Sequence, residues 1–160
     1  DYVDGHQHVH QLPIVREALI ARYKQRLPPG TFLRVSVDPL DAIWRRYIAV
    51  LHAAILAFMG KRLQHAADIA GIPMNHRFAG VLNFNESIGY REMFRRFIEE
   101  SPVGLVVMCH PGHPDRMLRE LDRVVDTRAS ELAYLESFAF LHDVSHAGMR
   151  LGRFRDIACP

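Results

Sequence analysis

Asp4, His6, His8 and His10 occupy every second position of the opening segment Asp4-Gly5-His6-Gln7-His8-Val9-His10. Neutral imidazole is the commonest protein ligand for zinc and similar ions. A carboxylate two residues away can ligate as well, or hold an imidazole in one tautomer. The side-chain period of a strand is two, so an extended segment here turns all four groups to one face. This spacing points to metal binding by at least one of them, with a solvent-facing polar strand as the plainer alternative. The bias is unusual: the chain has ten histidines, and three of them fall in its first ten residues.

A second group surrounds His110, which closes the apolar run 104–109 just before Pro111-Gly112. An imidazole titrating near neutrality at a strand end suits general acid–base work, or a structural hydrogen bond. Neighbouring residues of a regular strand point to opposite faces, so Cys109 and His110 form no nucleophilic dyad, and Cys109 reads as a small buried hydrophobe. Arg34 lies inside the apolar segment 32–37. It points into a cleft toward an anionic partner, or outward with only its stem covered. Asn83, Asn85 and Glu86 are weaker candidates for the same mouth. Trp44, Tyr47, Leu51 and Ile55 recur at helical spacing and read as core packing.

These groups need a scaffold. Extended segments are predicted at 2–8, 32–37, 77–83, 104–110 and 149–154. Helices are predicted at 14–27, 40–59, 62–69, 90–100, 116–121, 129–138 and 141–146, with Gly60 interrupting the second pair. Strand–helix alternation argues for an α/β fold of parallel units with right-handed crossovers. A doubly wound open sheet and part of a (β/α) barrel share this pattern, and both gather functional groups at the carboxyl ends of their strands.

The 160 residues, 49% hydrophobic and 24% charged, suit a single domain spanning 1–160. A net charge of +2 argues against a nucleic-acid surface. Two cysteines, Cys109 and Cys159, make no disulfide framework and point to a reducing, cytoplasmic setting. The most apolar stretch, 48–59, contains His52 and is flanked by Arg45, Arg46 and Lys61, so a membrane span is not expected.

Three segments resemble the YdjC-like family, whose best-known members are the ChbG-type chitooligosaccharide deacetylases. They are the Asp4-to-His10 motif running into Gln11-Leu12-Pro13, Met108-Cys109-His110-Pro111-Gly112, and 150–157. Phe32-Leu33-Arg34 adds a weaker match, and Asn75-His76-Arg77-Phe78-Ala79-Gly80 looks more like a hopanoid-biosynthesis-associated branch. The resemblance implies a distorted (β/α) barrel and metal-dependent hydrolysis of the N-acetyl group of an amino sugar. It implies a divalent ion, magnesium or zinc, with His6 as a ligand and Asp4, His8 and His10 supporting or lining the site. His110 would be the general acid, and Arg34 would hold the pocket carboxylates.

The family's Ala-Asp-Asp-Phe-Gly-type segment and its other ligand-bearing strand have no counterpart here. The chain therefore reads as the carboxyl-terminal portion of a barrel whose amino-terminal strands are missing, its open sheet edges paired by a second copy in a homo-oligomer or otherwise covered. A non-catalytic half-barrel acting as a binding module, and a metal-dependent phosphoesterase, are the competing readings.

Overall fold

The computed structural model describes residues 2–82, 88–101, 103–122 and 125–156. Asn83, Asn85, Glu86 and Cys159 lie outside the described residues. The chain is a mixed α/β structure, mostly helical, with short parallel strands. Strands β1 (Tyr2–Val3), β2 (Phe32–Leu33), β3 (Arg77–Ala79) and β4 (Leu105–Val107) alternate with helices α1 (Pro13–Arg26), α2 (Leu40–Arg46), α3 (Val50–Ala70) and α4 (Tyr90–Ile98). Helices α5 (Arg116–Leu121), α6 (Asp126–Leu135) and α7 (Phe138–His146) follow. The segment predicted as a last strand instead runs into a short 3-10 turn, Phe154–Asp156.

β1 pairs with β2, and β3 with β4, all in parallel. An isolated parallel bridge, Leu33 to Met74, joins the two pairs. Beside it the fully buried Asn75 replaces the missing ladder with its side chain. Its Oδ1 accepts from Val35 N at 2.7 Å, while its Nδ2 donates to Val35 O at 2.8 Å and Arg77 O at 2.9 Å. A carboxamide offers both a donor and an acceptor, so it can stand in for a peptide group where two strands splay apart.

Two apolar clusters anchor the elements. Leu33, Val35 and Val37 pack with Tyr23 of α1 and with Leu63 and Ala67 of α3. Tyr90, Phe94 and Phe97 of α4 pack with Tyr134 of α6 and Val144 of α7. Gly60 does not break α3, because it is chosen for closeness: a Cβ there would lie 2.9 Å from both Gln11 Oε1 and Ser36 O. The break falls earlier, where Tyr47 and Ala49 adopt left-handed backbone between α2 and α3. The stripe of Trp44, Tyr47, Leu51 and Ile55 is exposed and does not lie in the core as its spacing predicts.

Asp38, buried between the clusters, accepts from Arg46 Nη1 at 2.5 Å and also from Arg77 Nε. Two guanidinium groups thus hold one buried carboxylate, which gives that buried charge the partners it needs.

Candidate active site

Regular pairing of the opening segment ends at Val3, and the histidine motif folds into a 3-10 turn, His6–Gln11. Gln7 and His8 take φ values of 51° and 62°, so the two-residue alternation is broken. The four polar groups therefore do not line one strand face as their spacing predicts. Gly5 explains the fold-back: a Cβ there would lie 2.6 Å from His10 Nδ1. The chain can close on the His10 ring only with no side chain at this position.

Three of the four groups nevertheless converge, and the buried Arg34 gathers them. Its Nε donates to Asp4 Oδ1 at 2.7 Å, and its Nη2 donates to the same carboxylate. Its Nη1 donates to His8 Nδ1 at 2.8 Å and to Ser36 Oγ at 2.5 Å. The guanidinium also stands 5.1 Å above the Phe78 ring. Of the two orientations open to Arg34, the structure shows the inward one with an anionic partner.

The same geometry fixes the imidazoles. Since Nδ1 of His8 accepts from Arg34, its proton is assigned to Nε2, and burial with the neighbouring guanidinium pushes its pKa down to about 4. His10 is buried; its Nδ1 accepts from Gly5 N at 3.1 Å and its Nε2 donates to Arg34 O at 2.9 Å. Burial, then Arg34, lowers its pKa too. His6 is exposed, and its ring makes no hydrogen bond among the described residues.

His110 lies three residues beyond β4, half-buried, and near enough for its charge to depress the His8 pKa. Burial and then Arg128 hold its own pKa below the usual value. Cys109, expected inside, is exposed; regular pairing has stopped by Val107, so strand alternation no longer directs it inward.

A residue that sequence reasoning missed sits behind His110. Glu131 of α6 is fully buried, and its Oε2 accepts from the His110 backbone N at 2.5 Å. No spacing marks it; the sole signal is a glutamate at an inward position of a helix. Burial pushes its pKa up, so the fold favours its protonated form. Its stability contribution is present below the ordinary carboxylate range and lost as pH rises through the raised value. Glu131→Gln is therefore expected to flatten the decline in unfolding free energy from pH 4 to pH 8, read by urea titration at each pH. Parallel profiles for the two proteins would refute this.

Among the described residues, no group of three or more His, Cys, Asp or Glu side chains could hold a metal ion. Both nitrogens of His10 are committed, Nδ1 of His8 is committed, and Asp4 is bound to Arg34. The donor set among the described residues is therefore not a closed shell, for which three protein ligands are usual. No helix of the described residues is long and apolar enough to cross a membrane.

No curated protein and no solved structure matches the chain. A sequence model of the YdjC-like protein family matches residues 1–146, covering the Asp4-to-His10 motif, Arg34 and the His110 segment. The chain therefore belongs to the YdjC-like family, a carbohydrate deacetylase-related family.

Proposed function

We propose that this chain carries the acid and anchoring half of a metal-dependent deacetylase acting on the N-acetyl group of an amino sugar, in an oligosaccharide or a glycolipid. The observation that carries this reading is the convergence of Asp4, His8 and His10 on Arg34, with His110 within electrostatic reach of His8. Residues 1–160 form one domain in this reading, a portion of a distorted (β/α) barrel. In its support, the parallel pairings follow chain order without reversal. Phe154 also returns to ring contact with Tyr2 and Phe32, at 4.7 and 5.5 Å between centroids.

His6 is the ligand this chain brings to magnesium or zinc, and residues beyond the described ones complete the shell. A bound divalent ion supplies polarisation of the acetamide carbonyl and acidification of a water. His110 holds the proton delivered to the amine nitrogen as the C–N bond breaks. Its lowered pKa makes it a stronger acid and moves the loss of the protonated form to lower pH. Arg34 fixes the Asp4 carboxylate and the tautomer of His8, which keeps the wall of the pocket in one arrangement. Glu131 holds the backbone from which His110 projects.

The test is acetate release from an N-acetylglucosamine oligomer by this chain joined to the amino-terminal segment characteristic of the family. Release is expected, and His110→Ala is expected to reduce it by at least about 100-fold, the scale of general acid catalysis, with metal content unchanged. Equal turnover in the variant would remove His110 from the reaction. Phosphate release from a phosphoester in place of acetate would assign the site to the phosphoesterase reading. The incomplete ligand set among the described residues favours, for the chain alone, a sugar-binding module without turnover. Sugar binding with no acetate release from the joined polypeptide would establish that second reading.

A further inference from the structure

Helix α7 carries two imidazoles one turn apart, His142 and His146. Residues four apart stand one above the other on a helix face. The two rings lie 8° from parallel, with centroids 5.9 Å apart. Both side chains are exposed, His142 to 72%, and neither belongs to the group gathered by Arg34. A histidine pair at this spacing is one way a helix grips zinc. Zinc–imidazole bonds of about 2.0–2.1 Å set two rings on one ion roughly 5–6 Å apart between centroids. The observed separation falls in that range. Turning two exposed rings to aim one nitrogen each into the gap displaces no packed neighbour.

The surroundings favour a cation as well. His142 Nδ1 lies 3.4 Å from Asp143 Oδ1, which assigns the proton to Nδ1 and leaves the Nε2 lone pair to bind. Asp143 is itself buried and fixed. Arg91 donates to it through Nε at 2.8 Å and Nη2 at 2.9 Å, and Tyr134 Oη donates at 3.1 Å. A held carboxylate behind a ligating ring is the arrangement that orients histidines on zinc. His146 closes α7, where the helix dipole presents its negative end. Beside it lies a cleft of about 340 Å³, room for waters to complete a tetrahedral shell. The arginines lining that cleft, Arg95 and Arg96, face Glu92, and Arg91 faces Asp143.

We propose that His142 and His146 hold a zinc ion on the last turn of α7, with water in the remaining positions. Paired imidazoles suit zinc, whereas magnesium takes oxygen ligands. The site goes beyond the deacetylase reading, since no residue of the Asp4-to-His10 motif takes part in it. Its role is mechanical. Val144 and Phe140 of the same helix pack into the cluster shared with α4 and α6. Gly148, with φ of 69°, then turns the chain toward Phe154, which meets the Tyr2 and Phe32 rings. An ion across the last turn of α7 holds the point where the chain leaves that cluster and returns to the first strands.

The test titrates zinc chloride into the His6→Ala chain, which lacks the ligand proposed for the other site, and follows the assigned histidine ring signals by NMR. The His142 and His146 signals are expected to move together and saturate at one ion per pair, and magnesium chloride to move neither. His142→Ala and His146→Ala are each expected to weaken binding at the surviving ring at least about tenfold, because a chelate loses the effective concentration of its second arm. Far-ultraviolet circular dichroism should be unchanged in both. His52, exposed on α3 with no histidine within four positions, is the comparison. Equal affinity at His52 and at the pair would mean an adventitious ion only and overturns the proposal. So does a surviving ring that keeps its original affinity, or the absence of any saturable shift. Amide exchange at Ala147, Gly148 and Met149, whose N–H groups bond back to the end of α7, is expected to slow when zinc is added. Saturable binding with unchanged exchange there overturns the mechanical role.

Discussion

Gly80→Ala is expected to lower stability by at least about 3 kcal/mol, the sum of a left-handed backbone forced on alanine and an overpacked contact. Gly80 has φ of +95°, and a Cβ there would lie 2.1 Å from Met108 O and 2.6 Å from Met108 N. The obstructing atoms are backbone, so no rotamer relieves the clash. Met108 N donates to Ala79 O at 2.9 Å immediately after the Ala79–Val107 register pair. Pushing β3 and β4 apart at this point displaces the chain two residues before His110. The melting temperature should fall by roughly 6–12 °C for a domain of this size, and acetate release by the joined polypeptide should fall with it. Gly30→Ala separates the causes, since Gly30 has φ of +76° and nothing within 4 Å of the added Cβ. It should cost only about 1 kcal/mol. Equal losses at the two glycines would show that backbone conformation, and not the close approach to Met108, is what matters.

The second large effect concerns Asp4 and Arg34, and its signature is an inequality. The Arg34 side chain is 6% exposed and the Asp4 side chain 42% exposed. Asp4→Ala leaves a guanidinium inside the protein with only neutral acceptors, and a buried charge stripped of its partner costs about 3–5 kcal/mol. Arg34→Met removes that charge and leaves a carboxylate that water can reach, so its loss should be smaller. The double variant Asp4→Ala/Arg34→Met should then be more stable than Asp4→Ala alone, in urea unfolding at neutral pH. Simple addition of the two single losses would show that the pair is not coupled.

Much of the scaffold was legible because helix periodicity and punctuation are local. The reading of α5 at 116–121 needed only the apolar spacing and the loop around it, and α4 begins at Tyr90 as expected and ends at Ile98, two residues short of the expected 100. Four extended segments were legible, two of them, 32–37 and 104–109, as apolar runs, although regular pairing covers only two or three residues of each. The histidine motif was legible as a site but not as a shape. Alternation predicts a strand, and it is the positive φ of Gln7 and His8, with Gly5 fitted to the His10 ring, that makes a turn of it. Asn75 and Glu131 were not legible at all. Each is one polar residue whose role exists only through a partner remote in sequence. The α3 stripe shows the converse limit: spacing reveals that a face is apolar, and only the packing of the inner face reveals which side turns outward.

Asn75 has a consequence for how the two halves of the chain stay in register. Arg34 and its partners hang from the β1–β2 half, whereas His110 follows from the β3–β4 half. Across the boundary, the backbone bridge at Leu33–Met74, the Asn75 carboxamide, the Asp38–Arg77 ion pair and the Arg34–Phe78 contact carry the alignment of the two. The spacing between Arg34 and His110 is thereby gauged in part by one carboxamide, like a spacer shim set between two plates.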